Sequence, residues 1–371
     1  MSENREKIVF VLPQLKTGGG VRVVVELSNA LVQKYDYDVR IVIPHVQSDC
    51  SFFIDPNIVI EKIGKKAHSP FAKIKNILQM FFHLQKNYKD EIIITTDPIF
   101  SPMFMFFRFS KLYRYVQADD YRIFDDLLLL KNRFFLAIYK FFTKLSYKQN
   151  ITYIFNSKFT HKKFVELKGK EVKNHIVHPS INHKSFYSND LATAKDEVSL
   201  CLIARKHPMK RFEDFLTVYR RIEKREDIKK KIKKVFIISH DDLSQYDLKG
   251  MTLIVPSNDK EIADTMRKSD IYIFTSIWEG FGLPPLEAMA CGCAVVASDA
   301  KGINEYARDG ENALFYPPEN TNILEQKLLK VIEDKALREK LQTNAIKTAK
   351  TFSWEKSAKQ LLTALGKSTD V

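Results

Sequence analysis

Glu279 and Glu287 stand with seven residues between them, around the run Gly280-Phe281-Gly282-Leu283-Pro284-Pro285. Glycines leave main-chain N–H groups uncovered. Proline is tolerated in the first turn of a helix, where its missing N–H would have had no intrahelical partner. A glycine loop that opens a helix therefore offers amide donors and the positive end of the helix dipole, a cradle for an anion or for sugar hydroxyls. Glu279 falls in the loop and Glu287 about one turn into the helix. Both carboxylates can then face one crevice at the carboxyl end of a parallel sheet, where open α/β folds bind ligands. A bare Gly-x-Gly would fit a loop that merely turns; two bracketing acids followed by the run Cys291–Ser298 favour a binding site.

Such a site needs strands to hold it, and the chain alternates strand and helix patterns in both halves. In the second half, strands are predicted at Val198–Ala204, Val235–Ser239, Thr252–Val255, Ile271–Thr275 and Ala294–Ser298, with helices at Arg211–Lys224 and Glu261–Lys268. The first half opens as strand, loop, helix and strand: Lys7–Leu12, the glycines Gly18-Gly19-Gly20, the helical spacing of Val21–Val32, then Val39–Ile43. Further strands are expected at Glu91–Thr95, Leu112–Val116 and Ile151–Phe155, separated by Phe/Lys/Arg-rich segments at Phe71–Lys89, Met103–Arg114 and Asn132–Lys148. This alternation predicts an α/β protein of two parallel-sheet domains with a polar hinge near Ser180–Asp196. A last helix, Trp354–Leu365, comes after the second domain should be complete.

A length of 371 residues suits two cores better than one. The formal charge is +14, and the first 180 residues carry 28 Lys and Arg against 17 Asp and Glu, so most of the excess lies in the first half. That half is expected to face something anionic. A pI near 9.3 alone would also suit a nucleic-acid binder, but no nucleic-acid motif accompanies it. Cys50, Cys201, Cys291 and Cys293 lack zinc spacing and read as reduced, structural thiols. The N-terminus does not read as a signal peptide, and no run approaches the ~20 apolar residues of a membrane span. A cytoplasmic protein is expected.

Glu279 and Glu287 with Gly-Phe-Gly-Leu-Pro between, followed by Ala288-Met-Ala-Cys-Gly292, resemble the motif of the retaining glycosyltransferases of family 4, which have the GT-B fold. Gly18-Gly19-Gly20-Val-Arg22 resembles that family's N-terminal glycine loop, Ala204-Arg205-Lys-His-Pro-Met-Lys210 its basic pair, Gly302-Ile-Asn-Glu305 its later Gly-x-x-Glu element, and Phe352-Ser-Trp354 its closing helix. The resemblance implies two Rossmann-like domains facing a central cleft: an acceptor-binding domain over 1–180, a nucleotide-sugar donor domain over 181–350, and a helix over 351–371 crossing back to the first. It implies that Glu287 holds the ribose hydroxyls and that Glu279 meets the donor sugar beside the amides of Gly280, Phe281, Gly282 and Leu283. Arg205 and Lys210 would grip the diphosphate, with Gly19 and Gly20 contributing amides. Positive groups there suit the charge left as phosphate departs, although Lys206 and Arg211 alongside also permit a plain basic surface.

Many members carry a histidine after a strand of the first domain. Here that place reads Tyr115-Val-Gln117-Ala-Asp119-Asp120, so its role is unfilled or passes to Gln117, Asp119 or Asp120. This version is similar to a subgroup that includes dTDP-rhamnose-using enzymes. Asp36-Tyr-Asp38 resembles a metal-binding Asp-x-Asp but falls between a helix and a strand, and the nine histidines lack ligand spacing, so no metal and no cofactor are expected. The expected partners are a nucleoside-diphosphate sugar, a saccharide or lipid-linked acceptor, and an anionic membrane surface, with peripheral attachment to the inner face of the cell membrane. For Phe71–Lys89 a core-facing helix and a membrane-surface helix are equally open. Two other functions fit the motif less well: a sugar-nucleotide epimerase, which would need no acceptor, and a non-catalytic binding module.

Overall fold

The computed structural model describes residues 5–16, 18–46, 50, 52–66, 69–98, 100–119, 133–188 and 196–368. They form two compact units, Met1–Pro179 with Trp354–Val371, and Ser180–Ser353.

The first unit is built on β1 (Lys7–Val11), α1 (Gly19–Tyr35), β2 (Asp38–Pro44), β3 (Val59–Ile63), α2 (Pro70–Asn87), β4 (Ile92–Thr95), a 3-10 turn (Met103–Phe106), β5 (Lys111–Val116), α3 (Arg133–Ser146), β6 (Thr152–Phe155), α4 (Lys158–Lys168) and β7 (His175–Ile176). Its seven strands are parallel in the order β3-β2-β1-β4-β5-β6-β7. Ile8, Val9, Phe10 and Val11 are all fully buried. Their unbroken apolar run is what a central strand covered on both faces requires. Strand order reverses between β1 and β4, so the glycine loop after β1 lies at the switch point. The C-terminal helix Trp354–Ala364 packs against α1. Ser357 donates to the carbonyl of His178 at 2.6 Å, and Gln360 accepts from the His178 amide at 3.0 Å.

The Asp36-Tyr-Asp38 segment has a local task. Asp36 ends α1 in the left-handed conformation at φ 54°, its amide bonded to the carbonyl of Leu31 and its carboxylate 2.7 Å from Arg5. Asp38 opens β2 and accepts from Arg40 at 3.3 Å. Among the described residues no cluster of three His, Cys, Asp or Glu side chains could hold a metal.

The second unit comprises β8 (Val198–Ile203), a 3-10 turn (Pro208–Lys210), α5 (Phe212–Ile222), α6 (Glu226–Lys229), β9 (Ile232–Ile238), β10 (Thr252–Ile254), α7 (Asp259–Arg267), β11 (Ile271–Phe274), α8 (Leu283–Ala290), β12 (Ala294–Ser298), a 3-10 turn (Gly302–Glu305), β13 (Leu314–Tyr316), α9 (Thr321–Glu333) and α10 (Lys335–Ala349). Six parallel strands run β10-β9-β8-β11-β12-β13. Apolar side chains from helices cover both faces, Met266, Leu286 and Met289 on one and Phe215, Val218 and Leu328 on the other. Here the order reverses between β8 and β11. The loops that leave these two strands carry Arg205 and Lys210 on one side and Glu279 on the other.

Candidate functional site

Three loops of the second unit are stitched together at that reversal. Ile277 donates its amide to the carbonyl of Met209 at 2.8 Å and Thr275 its hydroxyl to the carbonyl of Lys210 at 2.6 Å, joining the β8 and β11 loops. Glu279 donates its amide to the carbonyl of Ala300 at 2.9 Å, and Ser298 its hydroxyl to the carbonyl of Ser276 at 2.5 Å, which adds the loop after β12.

This framework brings Lys210 and Glu279 into contact. Lys210 Nζ lies 2.5 Å from Glu279 Oε1, and Ser276 Oγ donates to the same oxygen at 2.8 Å. Glu279 Oε2 has no partner among the described residues. The Glu279 side chain is only 18% exposed, so it is set into the loop rather than solvated as a surface acid. Lys210 ends its 3-10 turn because Arg211 takes the left-handed conformation at φ 49°, held there by a bidentate pair with buried Asp214 at 2.7 and 3.1 Å.

Arg205 is not drawn into the Lys210–Glu279 pair. Its Nε donates to Asp241 Oδ2 at 3.2 Å, and the same oxygen accepts the Lys206 amide at 2.7 Å. Asp241 follows β9 and thereby orients a guanidinium whose two terminal nitrogens carry no partner among the described residues. A fork held through Nε and open at its tips suits bidentate recognition of phosphate.

Gly282 sits at φ 82°, a conformation that side chains rarely adopt, and a Cβ there would meet Ile303 Cγ2 at 2.6 Å. Tyr306 donates its hydroxyl to the Gly282 carbonyl, and burial holds that phenol well above its usual pKa range, so it remains a donor. Phe281 is buried against Tyr306 and Phe352, with ring centroids 5.3 and 5.9 Å away. Pro284 and Pro285 remove two donors from the start of α8, so the loop's remaining amides are those of Gly280, Phe281, Gly282 and Leu283. Among the described residues the Gly280 and Gly282 amides have no acceptor. Glu287 is buried in α8, near enough to Tyr272, Tyr306 and Cys291 to raise the pKa of each. Burial above all, with Glu287 adding to it, pushes the Cys291 thiol up to about 12.

In the first unit, Gly19 and Gly20 open α1, and Gln117 Nε2 donates to the Gly20 carbonyl at 3.2 Å. Asn156 fixes the Gln117 backbone by donating to its carbonyl at 2.6 Å. Of the three residues at the histidine-replacing position, Gln117 is thus the one on the glycine loop. Asp119 is buried beside Tyr147 and Phe164, and Asp120 lies outside the described residues. Sequence reasoning missed Asp241 and Ser276, whose only signal is an acid three residues beyond β9 and a serine three before Glu279.

Residues 183–348 match the family model described as glycosyl transferases group 1. The chain is 26% identical to an uncharacterized glycosyltransferase of Methanocaldococcus jannaschii, over 95% of each length. A second uncharacterized glycosyltransferase of that organism is 40% identical over 96 residues, which span 26% of this chain and 27% of that protein. Among solved structures, sucrose-phosphate synthase from Thermosynechococcus elongatus superposes with a TM-score of 0.77 at 17% identity, covering 96% of this chain and 97% of the other. Anabaena HepE in complex with UDP-glucose gives 0.71 at 15% identity, covering 97% and 99%. The fold is that of the GT-B glycosyltransferases. The family-model match over 183–348 falls within the second unit, Ser180–Ser353.

Proposed function

We propose that this chain is a retaining glycosyltransferase whose second unit binds a nucleoside-diphosphate sugar. Glu287 takes the ribose hydroxyls, Arg205 and Lys210 the diphosphate, and Glu279 with the amides of Gly280 and Gly282 the sugar. The observation that carries this reading is the meeting, at the switch point of the second sheet, of Lys210, Glu279 and the Gly280 and Gly282 amides, which have no acceptor among the described residues. The HepE complex with UDP-glucose supports the ligand class.

In the reaction, the bond from the anomeric carbon to the diphosphate oxygen breaks and the acceptor oxygen bonds to the same face. The acceptor's proton passes to the departing diphosphate oxygen. The protein's share is positioning and fixed charge, with Lys210 and the Arg205 fork meeting the negative charge that grows on the leaving group. No metal takes part. The acceptor is a saccharide or lipid-linked saccharide of a bacterial-type surface polysaccharide or glycolipid, met by the first unit at the inner face of the cell membrane. The Val116-Gln117 variant supports a deoxyhexose donor such as dTDP-rhamnose.

The test is a panel of UDP-, GDP- and dTDP-sugars in thermal unfolding. A ligand at a hundred times its Kd stabilises the native state by about 2.7 kcal/mol, a rise of roughly 5–10 °C for a unit of this size. The matching donor should raise the melting temperature by that order. If no member of the panel shifts it, the donor assignment is wrong.

A further inference from the structure

We propose that the outward stripe of α2, together with the adjoining 3-10 turn Met103–Phe106, is a docking surface for an anionic lipid bilayer.

Helix α2 has two apolar faces. Met80, Phe81 and Leu84 are buried against the sheet. On the opposite side Phe71, Ile74, Leu78 and Phe82 recur at steps of three, four and four, which places them in one line along the helix. A helix that only covers a core would carry polar residues there, yet Phe71 is 86% exposed and Phe82 64%. The 3-10 turn adds two more exposed apolar side chains, Met105 and Phe106, the latter 75% exposed. The segment that follows the turn is fastened to α2 through Phe107 and Arg108. Phe107 packs on Phe81 and Phe82 at 5.2 and 5.5 Å, and Gln85 exchanges two 2.9 Å hydrogen bonds with the backbone of Arg108.

Charge selects the occupant. Helix α2 contains Lys73, Lys75 and Lys86 and no acid, and Arg108 is held at its last turns. A second copy would set these cations against themselves, which works against pairing. A bilayer with anionic headgroups satisfies both features, since the phenyl rings enter the acyl boundary while the basic groups stay among the phosphates. Helix α3 repeats the combination in the same unit, with Phe134, Phe141 and Phe142 exposed, Arg133, Lys140 and Lys144 along it, and no acid. No described helix is long and apolar enough to cross a membrane, so this attachment is peripheral. The surface gives the lipid-linked acceptor reading its physical means, but lipid binding needs no sugar donor.

Flotation of the full chain should separate the contributions, using vesicles of phosphatidylcholine alone and of an equal mixture with phosphatidylglycerol. Wild type should float with the mixed vesicles at low salt and poorly with phosphatidylcholine. Phe71→Ser with Phe82→Ser should lower the bound fraction about tenfold or more, and Lys75→Glu with Lys86→Glu should remove the preference for phosphatidylglycerol. All four side chains lie on the outward side, so the shift given by the matching donor should stay at the wild-type value, and the melting temperature should fall only by the loss of the Phe82–Phe107 contact. Three results would overturn the proposal: wild type ignoring the mixed vesicles, the Phe variant floating like wild type, or a wild-type dimer that the Phe variant makes monomeric. Vesicle binding without any donor-induced shift would instead strike the transferase reading and leave this surface standing.

Discussion

Gly302→Ala should disable the donor loop from outside it. A Cβ at residue 302 would lie 2.3 Å from the Glu279 carbonyl oxygen, 2.5 Å from the Gly280 carbonyl carbon and 2.6 Å from the Gly280 oxygen. Carbon and oxygen atoms in close contact sit at roughly 3.3 Å, so one backbone must retreat by about 1 Å. Both partners are main chain, and no rotamer change relieves the clash. The 3-10 turn is anchored by buried Ile303 and by the 2.8 Å bond from the Ala307 amide to the Ile303 carbonyl, and the Glu279–Gly282 loop by the Glu279 amide on the Ala300 carbonyl and by Tyr306 on the Gly282 carbonyl. Whichever backbone yields, the Glu279–Gly282 loop loses its present spacing to the 3-10 turn. A misplacement of about 1 Å at a reacting centre can cost roughly a hundredfold in rate, whereas overpacking costs about 1–3 kcal/mol of stability. Gly310→Ala is the matched control, since Gly310 sits at φ 75° with nothing within 4 Å of an added Cβ. It should lose about 1–2 kcal/mol through backbone strain and keep its turnover. Donor turnover and melting temperature measured on both variants decide the matter: Gly302→Ala turning over donor at the wild-type rate would refute the loop geometry.

Glu287→Ala should weaken binding of the free nucleotide, measured by calorimetry, by about 1–3 kcal/mol, because buried donors of the ligand lose their acceptor. Glu279→Gln should leave that affinity nearly intact and slow transfer by about a hundredfold or more; equal transfer by wild type and variant would remove Glu279 from the site. Chelation by EDTA should leave transfer unchanged, and a loss restored by Mg²⁺ or Mn²⁺ would reject the metal-free reading. A disulfide reagent at pH 8 should modify Cys50 in the native protein and the other three cysteines only after denaturation. Cys201, Cys291 and Cys293 are buried, and a thiol raised to about 12 stays protonated and unreactive at that pH. Fast labelling of Cys291 in folded protein would contradict its burial.

What could be read from the sequence follows how strongly each segment declares its surroundings. The predicted strand Ala294–Ser298 coincides with β12, and Ile271–Thr275 matches β11 to one residue, because both are buried on two faces and read as unbroken apolar runs. Three strands went unread for the complementary reason. β3, Val-Ile-Glu-Lys-Ile, lies at the sheet edge with its side chains largely outside the core, β7 is two residues long and β13 three. Helices α4, α9 and α10 were also missed. Their apolar stripes are interrupted by lysines, so their contribution to the core is visible only once the sheet is in place. For α2 the core-facing reading holds for Met80, Phe81 and Leu84, while its other face is exposed aromatic surface.

The candidate site was legible as a loop but not as a set of contacts. Glu279, the glycines and the prolines lie within one short segment, and their types alone suggest a cradle. Lys210 lies 69 residues before Glu279, and nothing local in either stretch announces that the two will touch. They meet because β8 and β11, remote in sequence, are neighbours in the sheet at the place where strand order reverses, and each strand delivers its following loop to the same edge. Arg205 starts in the same loop as Lys210 but ends on Asp241, because β9 flanks β8 on the other side. One cation is therefore assigned to the Glu279 side of β8 and the other to the Asp241 side. This division follows from the strand order and could not have been read from the spacing of Arg205 and Lys210 alone.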